Sequence, residues 1–563
     1  MFPISGGPII GEGPFGVVKP SSVPTATYPS NTTSTSLLST STNPRVMCCS
    51  VDNYLIDDTG NTTTEQFFAT RTPARIYGRW KAIAPVFFCK TWKSLKSPVG
   101  GNSANTPLFT FAWTLELSDG TQTTDYTNPN TGGHLYAGTT NGATDWKLQD
   151  GGLVRGDLIY ASTAGLPYFE FTDENYQPKL RMAISKNGAT DVLFSVQDTS
   201  YNFPSNSYHA QCTSYATAKT LIGTTGINNF GSGIDKWDAN DSSTLPGALY
   251  WVGIPYDSNQ EAIIAFGTSI PQGTGDGNPR PAGINPWGVT PIAQVPGGSN
   301  NHIGYPCRFA QDPANSVPLL NLGIGGSLIG NVWSDDATTQ NWVSSTNEIS
   351  FNRTMIAELC KDFTICMAAD PTNDPSFLQT SWNNFTNYVK SANPGIKIFQ
   401  VIVPNGGTDV NGSFTAYNAS NPAKYAIGTG FITAGQWFGS LNLKEPGFDE
   451  FQILADQDTG TSTALGSTTT LIDTTKNWTT NYWTGQFISI GGVQRLISSN
   501  TPTQLTFSAY AGAVAAGTAY IIKGNTSGDL LHPSAYGHRR MGQNLKTQFL
   551  NYLPNMKFWP RTK

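Results

Sequence analysis

Four short stretches of the chain carry residue types that can do chemistry. Ser269 follows Gly267-Thr268 directly after an apolar run, and a sharp strand-to-loop turn there presents its hydroxyl at a sheet edge. Gly323, Gly325, Gly326 and Ser327 follow a second apolar run, where glycines let the backbone approach a reacting oxygen and aim an N–H at it. Asn373 follows a third run within Pro371-Thr372-Asn373-Asp374, and Asp529 and His532 stand together near the C-terminus in GDLLHPSAYGHRRMG. A serine hydroxyl is a weak nucleophile until a base takes its proton, and the base needs a third group to fix its tautomer. His532 and Asp529 fit those two roles. The backbone N–H groups of Ser269 and Gly326 and the side-chain amide of Asn373 are candidates for an oxyanion hole, each donor being worth roughly 3 kcal/mol of transition-state stabilisation.

Each residue also has a plainer reading. Ser269 alone is a loop serine, and Pro271 departs from the G-x-S-x-G nucleophile elbow. Gly325 and Gly326 fit a tight turn, Asn373 a side chain capping its own backbone, and Asp529 with His532 a helix-start carboxylate and a surface imidazole. His538 falls inside the expected helix and reads as solvated or packed, while His134, His209 and His302 lack a carboxylate or thiol at ligand spacing. The Asp235 to Asp241 run lacks the glycine and closing glutamate of a calcium loop and reads as an Asx-rich turn. Trp80, Trp92 and Trp113 suit either sugar stacking or core packing. No metal and no cofactor are expected.

The elements that must bring these stretches together are of two textures. EAIIAF, VPLLNL, FTICMA and IKIFQVIV are near-continuous apolar runs, as in parallel strands covered on both faces. Helical patterns carrying Phe351, Met355 and Leu359, then Trp382, Phe385, Val389 and Ala392, separate them. Strands alternating with helices give a doubly wound α/β sheet, whose ligands sit beyond the carboxyl ends of the strands. Residues 256–455 and 526–563 are read as this domain, its last helix starting at Ser534 and carrying Met541, Leu545, Phe549 and Tyr552 on one face. The loop from 271 to 315 is expected to wall the substrate pocket. Residues 456–525 read as a small all-β insertion with a hairpin turn at Gly491-Gly492. Residues 46–255 are short β-branched and aromatic runs, among them ARIYGRW and APVFFCKTW, and read as a β-sandwich of jelly-roll type. Residues 1–45, Gly/Pro-rich and then Ser/Thr-rich, read as an arm or linker.

Charged residues make up only 13% of the 563, against roughly 25% in an average soluble protein, and the net charge is −5 with no run of like charge. Nothing there gathers nucleic acid or anionic lipid. Seven cysteines form no CxxC pair and, being odd in number, no complete disulfide framework. No stretch reads as a signal peptide or membrane span.

In order along the chain, FGTS, NLGIGGS, TND and DLLHPSAYGHRRM resemble the four blocks of the SGNH (GDSL-type) hydrolase family. The resemblance covers residues 256–455 and 526–563. It implies a three-layer, flavodoxin-like α/β fold, Ser269 as nucleophile, Gly326 and Asn373 in the oxyanion hole, and Asp529 with His532 completing the triad. Two positions depart from the family pattern: Thr268 stands where it has aspartate, and Pro371 where its Gly-x-Asn-Asp block has glycine. Jelly-roll and SGNH pairings imply a carbohydrate esterase, foremost an O-acetylesterase. The Thr/Gly-rich insertion further resembles bacteriophage tail-spike and tail-fibre proteins that deacetylate surface polysaccharide. On that resemblance the expectation is a virion protein acting at the bacterial surface, homotrimeric, attached to other tail proteins through residues 1–45. The alternatives are an inactive receptor-binding virion protein and a secreted bacterial esterase or lipase.

Overall fold

Alternating large and small side chains build two antiparallel sheets in the first half of the chain. The computed structural model describes residues 46–47, 53–57, 66–73, 76–90, 92–93, 97–98, 109–117, 134–140, 142–148, 152–171, 178–186, 193–198, 208–224, 244–246, 248, 250–273, 304–310, 316–323, 360–369, 379–406, 415–445, 448–451, 455–524 and 532–559. In the six-stranded sheet, β1 (Gln66–Pro73) and β3 (Phe109–Leu117) flank β4 (Lys179–Lys186). Leu180, Met182 and Ile184 of β4 point to a core shared with Ile83 and Phe87 of β2 (Gly78–Lys90), the central strand of the nine-stranded sheet. The opposite face lines up Ala69, Ala183 and Ala112 across three strands, and these small side chains admit helix α1 (Tyr215–Gly223). On that same face Glu116 is buried. Burial by itself would raise its carboxyl, but hydrogen bonds from Arg71 and the charges of Lys179, Arg71 and Arg181 outweigh that and hold it well below the usual carboxylate range.

The sequence divides ARIYGRW from APVFFCKTW, whereas β2 runs unbroken from Gly78 in the first to Lys90 in the second. Pro85 stands where one neighbouring strand gives way to the next, and its carbonyl accepts from Gly156 N at 2.8 Å, so its missing N–H breaks nothing. Trp80 and Trp113, whose rings could have stacked on sugars, are 1% and 2% exposed and belong to the core.

The second half is built on a wholly parallel sheet. Its strands are β6 (Ile263–Gly267), β7 (Leu319–Gly323), β8 (Ile365–Ala369), β9 (Lys397–Ile402) and β10 (Gly439–Asn442), in spatial order β7-β6-β8-β9-β10. Helices α2 (Ser269–Gln272), α3 (Gly304–Ala310), α4 (Gln379–Ala392), α5 (Thr415–Thr433) and α6 (Ala535–Tyr552) accompany it. α4 buries Trp382, Phe385 and Val389 on one face of the sheet, and α6 buries Met541, Leu545 and Phe549 on the other. Tyr552, the last residue of that stripe, is 38% exposed. The expected helix with Phe351, Met355 and Leu359 lies outside the described residues. Part of the stretch read as a loop from 271 to 315 is helix α3.

Between β10 and α6 the chain forms a six-stranded antiparallel sheet. It opens with β11 (Ala455–Thr461), includes β12 (Phe487–Ile490) and β13 (Val493–Asn500), and closes with β14 (Ala519–Gly524). Gly491 and Gly492, both at positive φ, turn β12 into β13, and β11 pairs with β14 so that Ala455 lies opposite Gly524.

A buried charge joins the nine-stranded sheet to the parallel one. Asp362, which precedes β8, accepts from Arg155 Nε and Nη2 at 2.9 and 2.7 Å and from the Tyr250 hydroxyl at 2.5 Å. Tyr250 lies in β5 (Tyr250–Pro255), and burial with the Asp362 charge pushes its phenol well above its ordinary range. Apolar contacts surround the pair, with Ala82, Val86 and Val252 in one cluster with Ile264, Phe363 and Phe385. Removing one partner of a buried pair strands the other charge. Asp362→Ala is therefore expected to lower the unfolding free energy by about 3–5 kcal/mol, read from urea denaturation. An unchanged midpoint would show that the pair does not hold the sheets together.

Candidate active site

The order β7-β6-β8-β9-β10 fixes where a site can form. The chain steps to one side from β6 to β7 and then crosses β6 to form β8 on its other side, and the crevice at such a reversal lies beyond the carboxyl ends of the strands. Ser269 follows that end of β6. Gly323 of β7 lies opposite Gly267, and Ala368 of β8 opposite Phe266, so both neighbouring strands end at the same edge.

Close approach makes the turn into Ser269. A Cβ at Gly267 would stand 2.4 Å from Pro271 Cγ and 2.6 Å from Ala369 O, so only glycine lets α2 fold back over the strand end. Thr268 immediately precedes the helix, and Gly273, at φ 103°, ends it by donating to Ser269 O at 3.0 Å. Pro271 costs no hydrogen bond because first-turn N–H groups have no partner within a helix. Its carbonyl accepts from Asn321 Nδ2 at 2.7 Å, which ties the turn to the buried interior of β7. Gly304 opens α3 at φ 50°, where a Cβ would meet Pro271 O at 2.3 Å. α3 in turn lies against α6, since a Cβ at Gly542 would come within 3.0 Å of Tyr305 O. One continuous line of packing thus runs from the serine turn to the last helix.

His532 stands just ahead of α6. Pro533 biases it toward an extended backbone, and Ser534 caps the helix, its Oγ accepting from Gly537 N at 3.2 Å. From there His532 Nε2 lies 3.0 Å from Ser269 Oγ, across 263 positions of sequence. Ser269 is 7% exposed, so the pair is partly withdrawn from water. With Nδ1 carrying the imidazole proton, Nε2 accepts from the hydroxyl, which is the arrangement general-base activation of serine requires.

The structure therefore brings Ser269 and His532 together. Asp529, Gly326, Asn373 and Pro371 lie outside the described residues, as do His302 and the Asp235 to Asp241 run. Strands β7 and β8, which lead toward Gly326 and Asn373, flank β6 on either side. His538 is buried on α6. Among the described residues no group of three or more His, Cys, Asp or Glu is gathered for a metal ion, and no helix is long and apolar enough to cross a membrane. Cys212, Cys307, Cys360 and Cys366 are free thiols. Sequence reasoning passed over Asn321. Its signal was a lone amide within the apolar run VPLLNL, where a buried polar side chain needs a partner.

No protein-family model matches the chain, and no curated protein does. Among solved structures, it is similar to a family two carbohydrate esterase from Clostridium thermocellum in complex with cellohexaose, at 11% identity over 90% of this chain and 99% of that one, with a TM-score of 0.29. A family two carbohydrate esterase from Cellvibrio japonicus matches at 11% identity over 71% and 87% of the two chains, with a TM-score of 0.22. An acetylxylan esterase from Geobacillus stearothermophilus matches at 11% identity over 54% and 97%, with a TM-score of 0.23. Likeness at these scores assigns no family.

Replacing Asn321 by leucine removes the donor to Pro271 O and leaves that carbonyl unpaired. A displacement of about 1 Å at a reacting atom costs up to a hundredfold in rate. Asn321→Leu is expected to slow labelling of Ser269 by a fluorophosphonate between about ten- and a hundredfold. Wild-type labelling kinetics in that variant would remove Asn321 from the positioning of the serine.

Proposed function

We propose that this chain is a serine esterase of SGNH type that removes acyl groups, foremost O-acetyl groups, from carbohydrate. The observation that carries the reading is the 3.0 Å contact between Ser269 Oγ and His532 Nε2 at the reversal point of the parallel sheet. His532 takes the serine proton as Oγ attacks the ester carbonyl, and a tetrahedral oxyanion forms. Collapse expels the sugar alcohol, which recovers the proton from His532, and leaves an acetyl-serine. Water then attacks with His532 again as base, releasing acetate and restoring the hydroxyl.

Asp529 is assigned to hold the Nδ1–H of His532, and the Ser269 and Gly326 N–H groups with the Asn373 amide are assigned to the oxyanion. The order of the sequence blocks supports these roles. Thr268 replaces a residue that takes no part in proton transfer, so the cycle stands without it. Carbohydrate as substrate rests on the pairing of an α/β hydrolase block with the two antiparallel sheets, which we read as a β-sandwich. Attachment to a phage tail, and a trimeric state, rest on the Thr/Gly-rich insertion and the composition of residues 1–45.

Ser269→Ala and His532→Ala are each expected to reduce acetate release from acetylated polysaccharide on the order of 10⁴-fold or more, followed by loss of the acetyl proton signals in NMR. Undiminished release by the Ser269→Ala protein would end the esterase reading.

A further inference from the structure

The helix that follows His532 is held by two different parts of the molecule. Met541, Leu545 and Phe549 of α6 belong to the core beneath the parallel sheet. Tyr536, in its first turn, belongs instead to the core of the inserted sheet, with Trp483, Ile488 and Ile522. The Tyr536 ring lies 5.9 Å from that of Trp483 and 5.7 Å from that of Tyr482, and its hydroxyl donates to Gln457 Oε1 at 3.3 Å. Arg539 extends the same grip. Its guanidinium stands over the Tyr482 and Tyr536 rings, 5.0 and 5.5 Å from their centroids, and donates to Tyr482 O. Arg540 donates to Gln457 Oε1 of β11 and, at 2.8 Å, to Glu445 Oε2.

The insert also holds the chain on the upstream side of His532. β14 ends at Gly524, where a Cβ would stand 2.8 Å from Gln457 Cγ, 3.0 Å from Gln486 Oε1 and 3.1 Å from Tyr536 Cε1. Strand end and helix start meet there without a side chain between them. The stretch that carries the histidine therefore leaves the inserted sheet at Gly524 and is caught by it again at Tyr536.

We propose that the inserted sheet positions the catalytic base: Tyr482 and Arg539, through Tyr536, set the start of α6 and so the distance from His532 Nε2 to Ser269 Oγ. This rests on His532 being the base of the esterase reading. Tyr536 lies four residues after His532, joined to it through Pro533, the capping Ser534 and Ala535, so a shift of the first turn is passed along that short link to Nε2. Catalytic groups must be held to within about 0.5 Å, and no described residue of the parallel-sheet core lies as near His532 in sequence as this aromatic clamp. The insert is then a working part of the active site through the base that it positions.

The test is the hydrolysis of p-nitrophenyl acetate by Tyr482→Ala and Tyr482→Phe, with competent sites counted by exhaustive fluorophosphonate labelling. Tyr482→Ala is expected to lower kcat per labelled site by about tenfold or more with KM within roughly twofold, and Tyr482→Phe, which keeps the ring, to restore it. Unchanged kcat per labelled site in Tyr482→Ala overturns the proposal. So does a fall in the number of labelled sites at constant kcat per site, which would mark the clamp as support for folding alone. An inactive unmutated protein overturns the esterase reading and the positioning role with it. An active one that loses activity in Ser269→Ala upholds the esterase reading, and the Tyr482 variants then decide the positioning role alone.

Discussion

The proposed catalytic geometry depends on one hydrogen bond between a hydroxyl and an imidazole that the chain brings from opposite ends of its second half. Neither partner can find the other by local structure. Ser269 is delivered by a strand end so crowded that glycine is required beside it, and His532 by a proline, a capping serine and the helix they begin. The two deliveries are reconciled by α3, packed between the Pro271 turn and α6. An error in any of these contacts is felt as an error in a single distance, and that concentrates the cost of misfolding on the chemistry.

Much of this was legible in the sequence because parallel strands buried on both faces leave unbroken apolar runs. EAIIAF, VPLLNL, FTICMA and IKIFQVIV each mark a strand of the sheet, with boundaries displaced by a residue or two. Glu261 shows why: it begins the first of these runs, yet pairs with Lys397 at 2.6 Å outside the strand. Ser534 and the Gly491-Gly492 turn were readable because helix caps and hairpins are decided by their own residues.

Features set by distant partners were not readable. The Arg155 to Asp362 pair spans 207 positions, and nothing near either residue announces the other. Asn321 was hidden for the same reason, since its importance lies in a carbonyl on another element. Helix α3 was missed because Gly304 and Pro306 look like loop residues. Their effect depends on the neighbouring turn, which leaves no room at Gly304 for a side chain.

The seam between the nine-stranded sheet and the parallel sheet has a further consequence. Ala82, Ala84, Val86, Tyr250 and Val252 cover apolar surface that Phe363, Trp382 and Phe385 also need covered, and Asp362 has its cation on the far side. A fragment cut at the compositional border near residue 256 would expose that surface and isolate a carboxylate in it. Where the residue alphabet changes texture and where the molecule can be divided are therefore different places, and the smallest independently stable piece containing the serine reaches back across the border to β2.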